Sequence, residues 1–556
     1  MEKIRALYAA IGLLVFAGCA TKPVSAPTPT AADVVLAKGA VQFELHRYDE
    51  AARAIEEALS LRPNDAVAYY YRGRIKHERK DIDGAVADFN RAIALKPDFM
   101  DAYYERGITV HDKGDYDGEI ADMERTIALK PDFAPAYYSR GRAKEAKGDL
   151  DAALTDYDRA IALSPDYAFP YLQRGKIRYE KGDYDSAIID DTKAITLDPT
   201  GSYNYVNRGL AKQAKMDFEG ALRDFNTLIE RDPLGAIGYF YRGGLKKAQG
   251  DPMGALNDYN RAIALEPTFS DGYYKRAWLN KDLGKIDGAI ADMSEFIGQR
   301  PQQAFAYFDR GTLKGIRNDW DGAISDFTRA ISLNPRLSDA FTSRGNARAV
   351  KGDFIAAISD FDQAILLNSS EHFAFAGRGA IKRLQGDYDA AITDADRAIA
   401  LKPDYIEAYR DRGYAKRAKG DLAGAIADFD KVVAAQPNNY EVLMARGEIF
   451  GAKGDEQSAL TDFDRVIALK PDWSAPYVER GKIRGKRGNL DTASDDFDRA
   501  INLDPTSTVA FVGRGLVNQS KHHWSDALAD YDKAIELSPR NSWAYQRRAT
   551  LKQEMG

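Results

Sequence analysis

The residues APAYYSRGRAKEAKGDLDAALTDYDRAIALSPDY, from Ala134 to Tyr167, decide the fold because most of the chain repeats them. The Arg-Gly pair that begins at Arg140 recurs at intervals of 34 residues, and its last copy begins at Arg514. Pro165 recurs at the same interval, with Ser369 in place of one copy. A fixed period of this length is typical of solenoids built from one supersecondary unit. Function must therefore be sought on the surfaces of the array.

Each unit has the pattern of two helices joined by a tight turn. The run Ala134 to Lys147 has apolar residues at helical spacing, and Gly148 follows where a helix end favours positive φ. Asp149 then provides a carboxylate at the start of the next helix, where it can cap free N–H groups. That second helix must end before Pro165, because proline cannot continue it.

The register gives fifteen full units of 34 residues over 32–541 and a single closing helix over 542–556. The Tyr137 place is aromatic in thirteen units, the Gly141 place is glycine in all but one, and the Ala153 place is alanine in all but one. Small residues on facing helices let two backbones approach closely. These places are therefore predicted to be buried between the paired helices.

This order of aromatic, Gly, Ala, aromatic, Ala and Pro resembles the tetratricopeptide repeat (TPR) family. The resemblance extends over residues 32–556. It implies an all-α, right-handed superhelix, an α-solenoid of about fifteen helix–turn–helix repeats plus a C-terminal capping helix. It also implies that the first helices of the repeats line a concave groove.

A charged pair distinguishes these repeats from the usual TPR pattern. Arg stands beside the Gly in every copy after the first, and Asp recurs in the second helix of the same copies, whereas the first copy has Lys38 and Ala54. Because buried charges need partners, we predict a ladder of Arg–Asp ion pairs between helices. The alternative is that these arginines face the groove and bind acidic groups of a partner. The first members of the ladder are Arg72, Asp88, Arg106, Asp122, Arg140 and Asp156.

The first nineteen residues have the layout of a secretion signal. Basic residues precede an apolar run over 6–17, which is too short to span a bilayer comfortably. The run ends Phe16-Ala17-Gly18-Cys19, which resembles the lipobox of bacterial lipoproteins, with Phe16 where leucine is usual. The resemblance implies that residues 1–19 are a lipoprotein signal peptide and that Cys19 carries diacylglycerol and an acyl chain such as palmitate. The alternatives are cleavage nearby without lipidation and an uncleaved N-terminal anchor.

The residues that follow Cys19 favour one address in the cell. Residues 20–31 contain three prolines and read as an extended tether. The residue after Cys19 is Ala20, whereas in lipoproteins an aspartate at this position retains the chain at the inner membrane. The resemblance therefore implies a lipid anchor in the outer membrane with the repeats facing the periplasm. A secreted, periplasmic protein is the alternative.

Composition and motifs exclude several function classes. The 556 residues carry a net charge of −6 with both signs well mixed, which argues against nucleic-acid binding. The single cysteine excludes a cysteine-based metal site, and His77 and His111, which share one place in adjacent repeats, lack an evident third ligand. The sequence contains no phosphate-binding loop or catalytic motif, and the array leaves no room for a catalytic domain. We predict no enzymatic activity, no cofactor and no metal.

In TPR proteins, ligands usually lie along the groove at the second, fifth, ninth and twelfth places of the first helix. The later repeats offer small or aliphatic residues there, such as Ala376, Val478, Gly485 and Leu516. Aromatic residues and arginine are enriched in protein-binding hot spots, so repeats two to nine are predicted to form the partner-binding groove. The alternative is that these aromatic residues serve only packing. The candidates are Tyr70, Arg74, His77, Tyr104, His111, Tyr138, Arg142, Phe169, Lys176, Tyr179, Tyr203, Phe240, Tyr274, Trp278, Phe305 and Phe308.

These observations predict a non-catalytic scaffold or adaptor of the bacterial cell envelope. Its partners would be envelope proteins or extended peptide segments held in the groove, and its contact with the membrane would be the lipid anchor. Two alternatives remain: a structural spacer whose groove stays empty, and a peptidoglycan- or glycan-associated binding module.

Overall fold

The computed structural model describes residues 29–556, which form 31 α-helices and no strand. The predicted signal peptide, Cys19 and residues 20–28 of the predicted tether lie outside the described residues. Within residues 29–556, no helix has both the length and the apolar character required to cross a membrane. The all-α prediction, with paired helices in a repeated arrangement, is confirmed.

The described residues fall into two compact units, 29–272 and 273–556. Odd-numbered helices are the first helices of the repeats, and even-numbered helices are the second helices. The helices that begin in the first unit are α1 (Ala31–Glu44), α2 (Tyr48–Leu61), α3 (Ala66–Glu78), α4 (Ile82–Leu95), α5 (Met100–His111), α6 (Tyr116–Leu129), α7 (Ala134–Ala146), α8 (Leu150–Leu163), α9 (Ala168–Glu180), α10 (Tyr184–Leu197), α11 (Ser202–Ala214), α12 (Phe218–Arg231), α13 (Ala236–Ala248), α14 (Pro252–Leu265) and α15 (Ser270–Asp282).

The helices of the second unit continue the same alternation. They are α16 (Ile286–Gln299), α17 (Ala304–Ile316), α18 (Trp320–Leu333), α19 (Ser338–Val350), α20 (Phe354–Leu367), α21 (His372–Leu384), α22 (Tyr388–Leu401), α23 (Ile406–Ala418), α24 (Leu422–Ala435), α25 (Tyr440–Lys453), α26 (Glu456–Leu469), α27 (Ser474–Lys486), α28 (Leu490–Leu503), α29 (Thr508–Ser520), α30 (Trp524–Leu537) and α31 (Ser542–Glu554).

Local sequence explains where these helices begin and end. Helix α7 is followed by Gly148 at a φ of +84°, and Asp149 then accepts a hydrogen bond of 3.1 Å from the backbone N–H of Ala152 to cap α8. At the start of the array, Thr30 and Asp33 form a capping box. For this reason α1 begins at Ala31, which the sequence analysis assigned to the tether.

A ring packed against a glycine joins the two helices of most repeats. A Cβ atom added to Gly141 would lie 2.6 Å from Cε1 of Tyr157, so only glycine fits beneath this ring. Tyr157, Ala153 and Ala160 are fully buried. Burial of such a ring contributes about 1.5–3 kcal/mol of stability. These residues hold the repeat together and leave other faces of the first helices available.

Candidate partner-binding surfaces

The Arg and Asp of the predicted ladder meet between the paired helices. Arg140 donates from Nε to Oδ2 of Asp156 over 2.9 Å and from Nη2 to Oδ1 over 2.6 Å. Asp156 is only 2% exposed, so this bidentate bond satisfies a buried carboxylate. The same geometry brings together Arg72 with Asp88 and Arg106 with Asp122.

A second cation, which the sequence analysis missed, approaches the same carboxylate in most repeats. Lys144 Nζ lies 2.8 Å from Oδ2 of Asp156, four residues after the ladder Arg in the same helix. In the third repeat this place is Val110, and there burial raises the pKa of Asp122 although Arg106 opposes the shift. The signal that could have revealed this contact is the recurring Arg-x-x-x-Lys/Arg spacing, which puts both cations on one helix face.

The guanidinium of the ladder Arg also contacts the preceding repeat. Arg174 donates from Nη1 to Oδ1 of Asp158 over 2.6 Å, and Arg548 of α31 makes the same 2.6 Å contact with Asp532. The residue sixteen places before each ladder Arg is always Asp, Glu, Asn, Ser or Thr, side chains that accept hydrogen bonds. This geometry favours a structural role for the arginines over contact with a ligand.

Four groove aromatics of the first unit contact the aromatic residue that follows the second helix of the same repeat. Tyr104 and Tyr138 are half-buried, and this burial raises the pKa of both hydroxyls. These residues therefore contribute to packing as well as to the surface. The pairs of ring centroids are Tyr70–Phe99 at 5.1 Å, Tyr104–Phe133 at 5.2 Å, Tyr138–Tyr167 at 5.3 Å and Phe240–Phe269 at 5.0 Å.

Three of the predicted aromatics are well exposed. Tyr203 is 65% exposed, Phe169 is 53% exposed and Phe305 is 43% exposed. Phe169 rests against Tyr138 with a ring separation of 6.1 Å. Tyr179 packs on Tyr184 at 5.6 Å and is partly covered. Tyr203 and Phe169 therefore present the most accessible aromatic surface among the candidates in the first unit.

The candidates of the second unit form an aromatic cluster with a half-buried acid. Tyr274 contacts Trp278 at 6.4 Å and Phe305 at 5.7 Å between ring centroids. Its hydroxyl donates to Oδ2 of Asp309 over 3.1 Å, and burial raises the pKa of Asp309 to about 6. Phe308 lies apart from this hydrogen bond and packs on the second-helix residue Phe327 at 5.7 Å.

The charged candidates are largely neutralised by carboxylates of neighbouring first helices. Arg74 lies 4.2 Å above the ring of Phe43 and bridges Glu44 at 3.2 Å and Glu105 at 3.4 Å. Lys176 Nζ donates a hydrogen bond of 2.8 Å to Glu145, and the same carboxylate accepts a hydrogen bond of 2.7 Å from the Tyr157 hydroxyl. The surface is polar and connected from repeat to repeat.

The two histidines that share one place do not converge on a common site. His77 Nε2 lies 3.0 Å from Oδ2 of Asp112. His111 Nδ1 lies 2.6 Å from the buried Glu119, while Arg142 donates to His111 Nε2 over 3.0 Å. Arg142 therefore assigns the ring proton to Nδ1, which donates to Glu119. Among residues 29–556, no group of three or more His, Cys, Asp or Glu side chains is placed to hold a metal ion.

An apolar cavity that the sequence analysis did not predict lies in the last two repeats. Its volume is about 420 Å³. The predicted groove consists of aromatic side chains at groove places, whereas this cavity lies beside a groove place that holds glycine, Gly485. The signal was the glycine at a groove place. The residues that define the cavity are Gly481 and Gly485 of α27, Phe497 of α28, Gly513 and Leu516 of α29, and Trp543 of α31.

Family models recognise the repeated unit in both halves of the chain. A model described as "TPR repeat" matches residues 73–114 and 145–182. One model described as "Tetratricopeptide repeat" matches residues 32–65 and 170–200. A second model with the same description matches residues 342–406, 378–440 and 410–475. Within the matched ranges the units are tetratricopeptide repeats. TPR proteins are generally non-catalytic interaction scaffolds that bind peptides or proteins.

Several solved structures are similar to this TPR array. The hetero-tetramer Cut9–Hcn1 of the APC/C aligns over 94% of this chain and 96% of its own with 15% identity and a TM-score of 0.40. YrrB, a TPR protein with an unusual peptide-binding site, aligns over 34% and 97% with 22% identity and a TM-score of 0.32. A tetratricopeptide repeat protein from Parabacteroides merdae aligns over 45% and 98% with 17% identity and a TM-score of 0.34. No curated protein matches the sequence.

Proposed function

We propose that this TPR protein is a non-catalytic scaffold of the bacterial cell envelope that binds segments of partner proteins along its first helices. One observation carries the proposal. The residues that recur in most repeats are used in the Arg–Asp ladder and the ring-on-glycine contacts, whereas the residues that vary lie at accessible places on the first helices. Variation at these places gives each part of the array its own chemistry, as a specific binding surface requires.

We also propose that the scaffold is held to the outer membrane through acyl chains on Cys19 and faces the periplasm. The support is the lipobox-like run Phe16 to Cys19 and the absence of aspartate at Ala20. Acyl chains on the terminal residue would anchor the array without a membrane-spanning helix. Replacement of Cys19 by Ser should abolish labelling with an alkyne analogue of palmitate and release the protein from the membrane fraction. If the Cys19→Ser protein still fractionates with the outer membrane, the anchor is wrong.

Photocrosslinking in the native host tests the binding function. A benzoylphenylalanine at Tyr203 or Phe169 should give discrete crosslinked partners, because both side chains are exposed on first helices. The control is the same probe at Arg223, an exposed residue of the second helix α12. Mass spectrometry then identifies the partner as a protein or as a peptidoglycan-linked species. If neither first-helix probe gives more product than the control, the protein is a spacer and not an adaptor.

A substitution complements this experiment. Tyr104→Ala with Tyr138→Ala should weaken capture of the crosslinked partner, since both rings border the proposed groove. Because these rings also pack on Phe133 and Tyr167, the double variant needs a stability measurement beside the binding assay. Unchanged capture by a folded double variant would remove the N-terminal repeats from the binding surface.

A further inference from the structure

We propose that the cavity between α27, α29 and α31 binds an apolar side chain of a partner segment that carries an acidic residue next to it. This inference rests on the proposed scaffold function and names the chemistry of one of its sites. The site lies in the last two repeats, outside the region in which the sequence analysis placed the groove.

The cavity is lined largely by apolar side chains, and its volume is sufficient for a large apolar side chain of a partner. Phe497, Leu516, Val517 and Trp543 are among the residues that line it. Val509 and Trp543 are 41% and 38% exposed, so apolar surface remains uncovered in the free protein. The volume of about 420 Å³ lies within the range of ligand pockets. Burial of this surface by a partner would favour binding at about 25 cal/mol per Å².

The glycines around the cavity differ in what they do for the fold. A Cβ atom on Gly513 would lie 2.4 Å from the Phe497 ring, so glycine is required there for packing. A Cβ atom on Gly485 would lie 3.7 Å from Val517 and 3.8 Å from Ala493, which are ordinary contact distances. The fold therefore does not require glycine at position 485. Its effect is to keep the cavity open.

The positive charge of two lysines at the cavity favours an acidic residue next to the apolar side chain of the partner segment. Lys482 and Lys486 of α27 line the cavity, and the Lys486 side chain is 73% exposed. Lys482 lies 2.6 Å from Glu479 and Lys486 lies 3.0 Å from Glu456. In both pairs the lysine is exposed and the glutamate is half-buried, so solvent screens the interaction. Glu456 and Glu479 line a neighbouring depression beside α25, which Lys482 and Lys486 also line, whereas neither glutamate lines the cavity itself. The charge at the cavity rim is therefore complementary to a carboxylate.

Peptide selection on the full-length protein in detergent tests this inference. The probe is a phage-displayed library of random dodecapeptides, and the leading peptide is then synthesised with fluorescein for anisotropy titration. We expect selected peptides to share a Leu, Ile, Met or Phe with Asp or Glu within two residues. A selection that yields no binder, or binders without this pair, overturns the proposal. Binding of palmitate in place of any peptide overturns it as well.

Matched variants localise the binding to the cavity. Gly485→Leu should fill the cavity and weaken binding of the synthetic peptide at least tenfold, with an unchanged unfolding transition. The control is Gly315→Leu, at the same place of the ninth repeat, where a Cβ atom would lie 3.6 Å from Trp320. It should alter the affinity less than twofold. Equal peptide affinity of Gly485→Leu and the parent refutes the site.

Charge reversal provides the second arm. Lys482→Glu with Lys486→Glu should weaken the same peptide at least tenfold, and a peptide with Lys in place of its acidic residue should regain part of that loss. If the reversal leaves the affinity unchanged, the acidic requirement is wrong. Failure in these assays together with crosslinked partners at Tyr203 or Phe169 would overturn this cavity and leave the scaffold function standing.

Discussion

At the level of single residues, Arg140 lies between two helices of its repeat and its guanidinium carries the positive charge of the buried pair with Asp156. Loss of one member of such a pair leaves the other charge uncompensated in the interior. The first repeat shows a way to omit both, since Lys38 and the buried Ala54 occupy the two places. Each member of the Arg140–Asp156 pair is therefore tolerated in the interior only because the other is present.

Replacement of Arg140 alone should be strongly destabilising. We expect Arg140→Leu to lower the local unfolding free energy by about 3–5 kcal/mol, because Asp156 loses its bidentate donor and retains Lys144 only. Hydrogen–deuterium exchange of α7 and α8 measures this loss. The control copies the first repeat with Arg140→Lys and Asp156→Ala together, and it should lose clearly less. Parent-like exchange in Arg140→Leu would contradict the structural role of the ladder.

Asp191 is an acid in a place that holds a ring in most repeats. It is fully buried against Gly175, and neither carboxylate oxygen has a hydrogen-bond partner among residues 29–556. Burial is the main cause that raises the pKa of Asp191 to about 8. The charges of Asp190 and Asp224 raise this pKa further, whereas the charge of Arg208 lowers it. The fifth repeat therefore holds a protonated acid at neutral pH.

Asp191 should make the stability of the fifth repeat depend on pH. Between pH 4 and 8 the unfolded chain loses this proton while the folded chain keeps it, so the unfolding free energy falls as pH rises, by up to about 1.4 kcal/mol per unit. We expect Asp191→Asn to flatten that slope between pH 5 and 7.5 in hydrogen exchange of α9 and α10. Asp191→Phe should also stabilise the repeat by roughly 2 kcal/mol, through ring burial.

The matched control for this acid is Asp132→Asn in an exposed connection. It should leave the pH slope of α9 and α10 as in the parent. An equal slope in the parent and in Asp191→Asn would show that the Asp191 carboxyl does not titrate in the folded protein as expected.

At the level of elements, the turn between paired helices requires one residue with positive φ in each repeat. Ten repeats use glycine, whereas five use another residue in the same conformation. The left-handed conformation costs a residue with a Cβ about 1–2 kcal/mol. These five turns are therefore strained relative to the others. They are His46, Lys80, Met216, Asn318 and His522, with φ between 60° and 65°.

Glycine in place of a strained turn residue should raise stability, and alanine in place of a turn glycine should lower it. Met216→Gly is expected to stabilise the pair α11–α12 by about 0.5–1 kcal/mol, because relief of strain exceeds the added freedom of the unfolded chain. Gly148→Ala should destabilise α7–α8 by about 1 kcal/mol for the reverse reason. Urea denaturation followed by circular dichroism detects both changes. Shifts of the same sign in the two variants would refute this account of the turn.

Helix pairing could be predicted from the sequence because Gly, Asp and Pro recur at the places where a helix must end, be capped and stop. The partners of the ladder could be predicted because the Arg and the Asp are absent together from the first repeat. The second cation at Lys144 could not be ranked above an ordinary surface lysine, since its contact depends on the direction in which the side chain lies. The cavity at Gly485 could not be predicted, because a glycine at a groove place does not show whether neighbouring side chains fill the space, as Trp320 lies near Gly315 at the same place of another repeat.

At the level of the whole molecule, α31 covers the apolar face of the repeat formed by α29 and α30. α31 buries Ala544 and Leu551 against Phe511 and Tyr531. Terminal units of solenoids need such a cover, because each repeat exposes an apolar face towards the next. Removal of residues 542–556 should raise hydrogen exchange in α29 and α30, with the effect fading towards α25.

A graded control separates loss of cover from loss of one ion pair. Arg548→Ala removes the contact with Asp532 and should have a much smaller effect than the truncation, because α31 still covers Phe511. The readout is hydrogen–deuterium exchange mass spectrometry of the second unit. An increase spread evenly over 273–556 would show that the repeats unfold as one block and not from the end.

Sixteen residues before each ladder Arg, the preceding repeat has a side chain that can accept a hydrogen bond. The number of repeats can therefore change without loss of this contact. An in-frame loss of 34 residues, for example 134–167, would bring Arg174 opposite Glu124, another acceptor. Almost any two copies can thus be joined at the DNA level and still form a satisfied interface. Selection would then act on the number of repeats and on their exposed residues, while the chemistry of the joints stays constant.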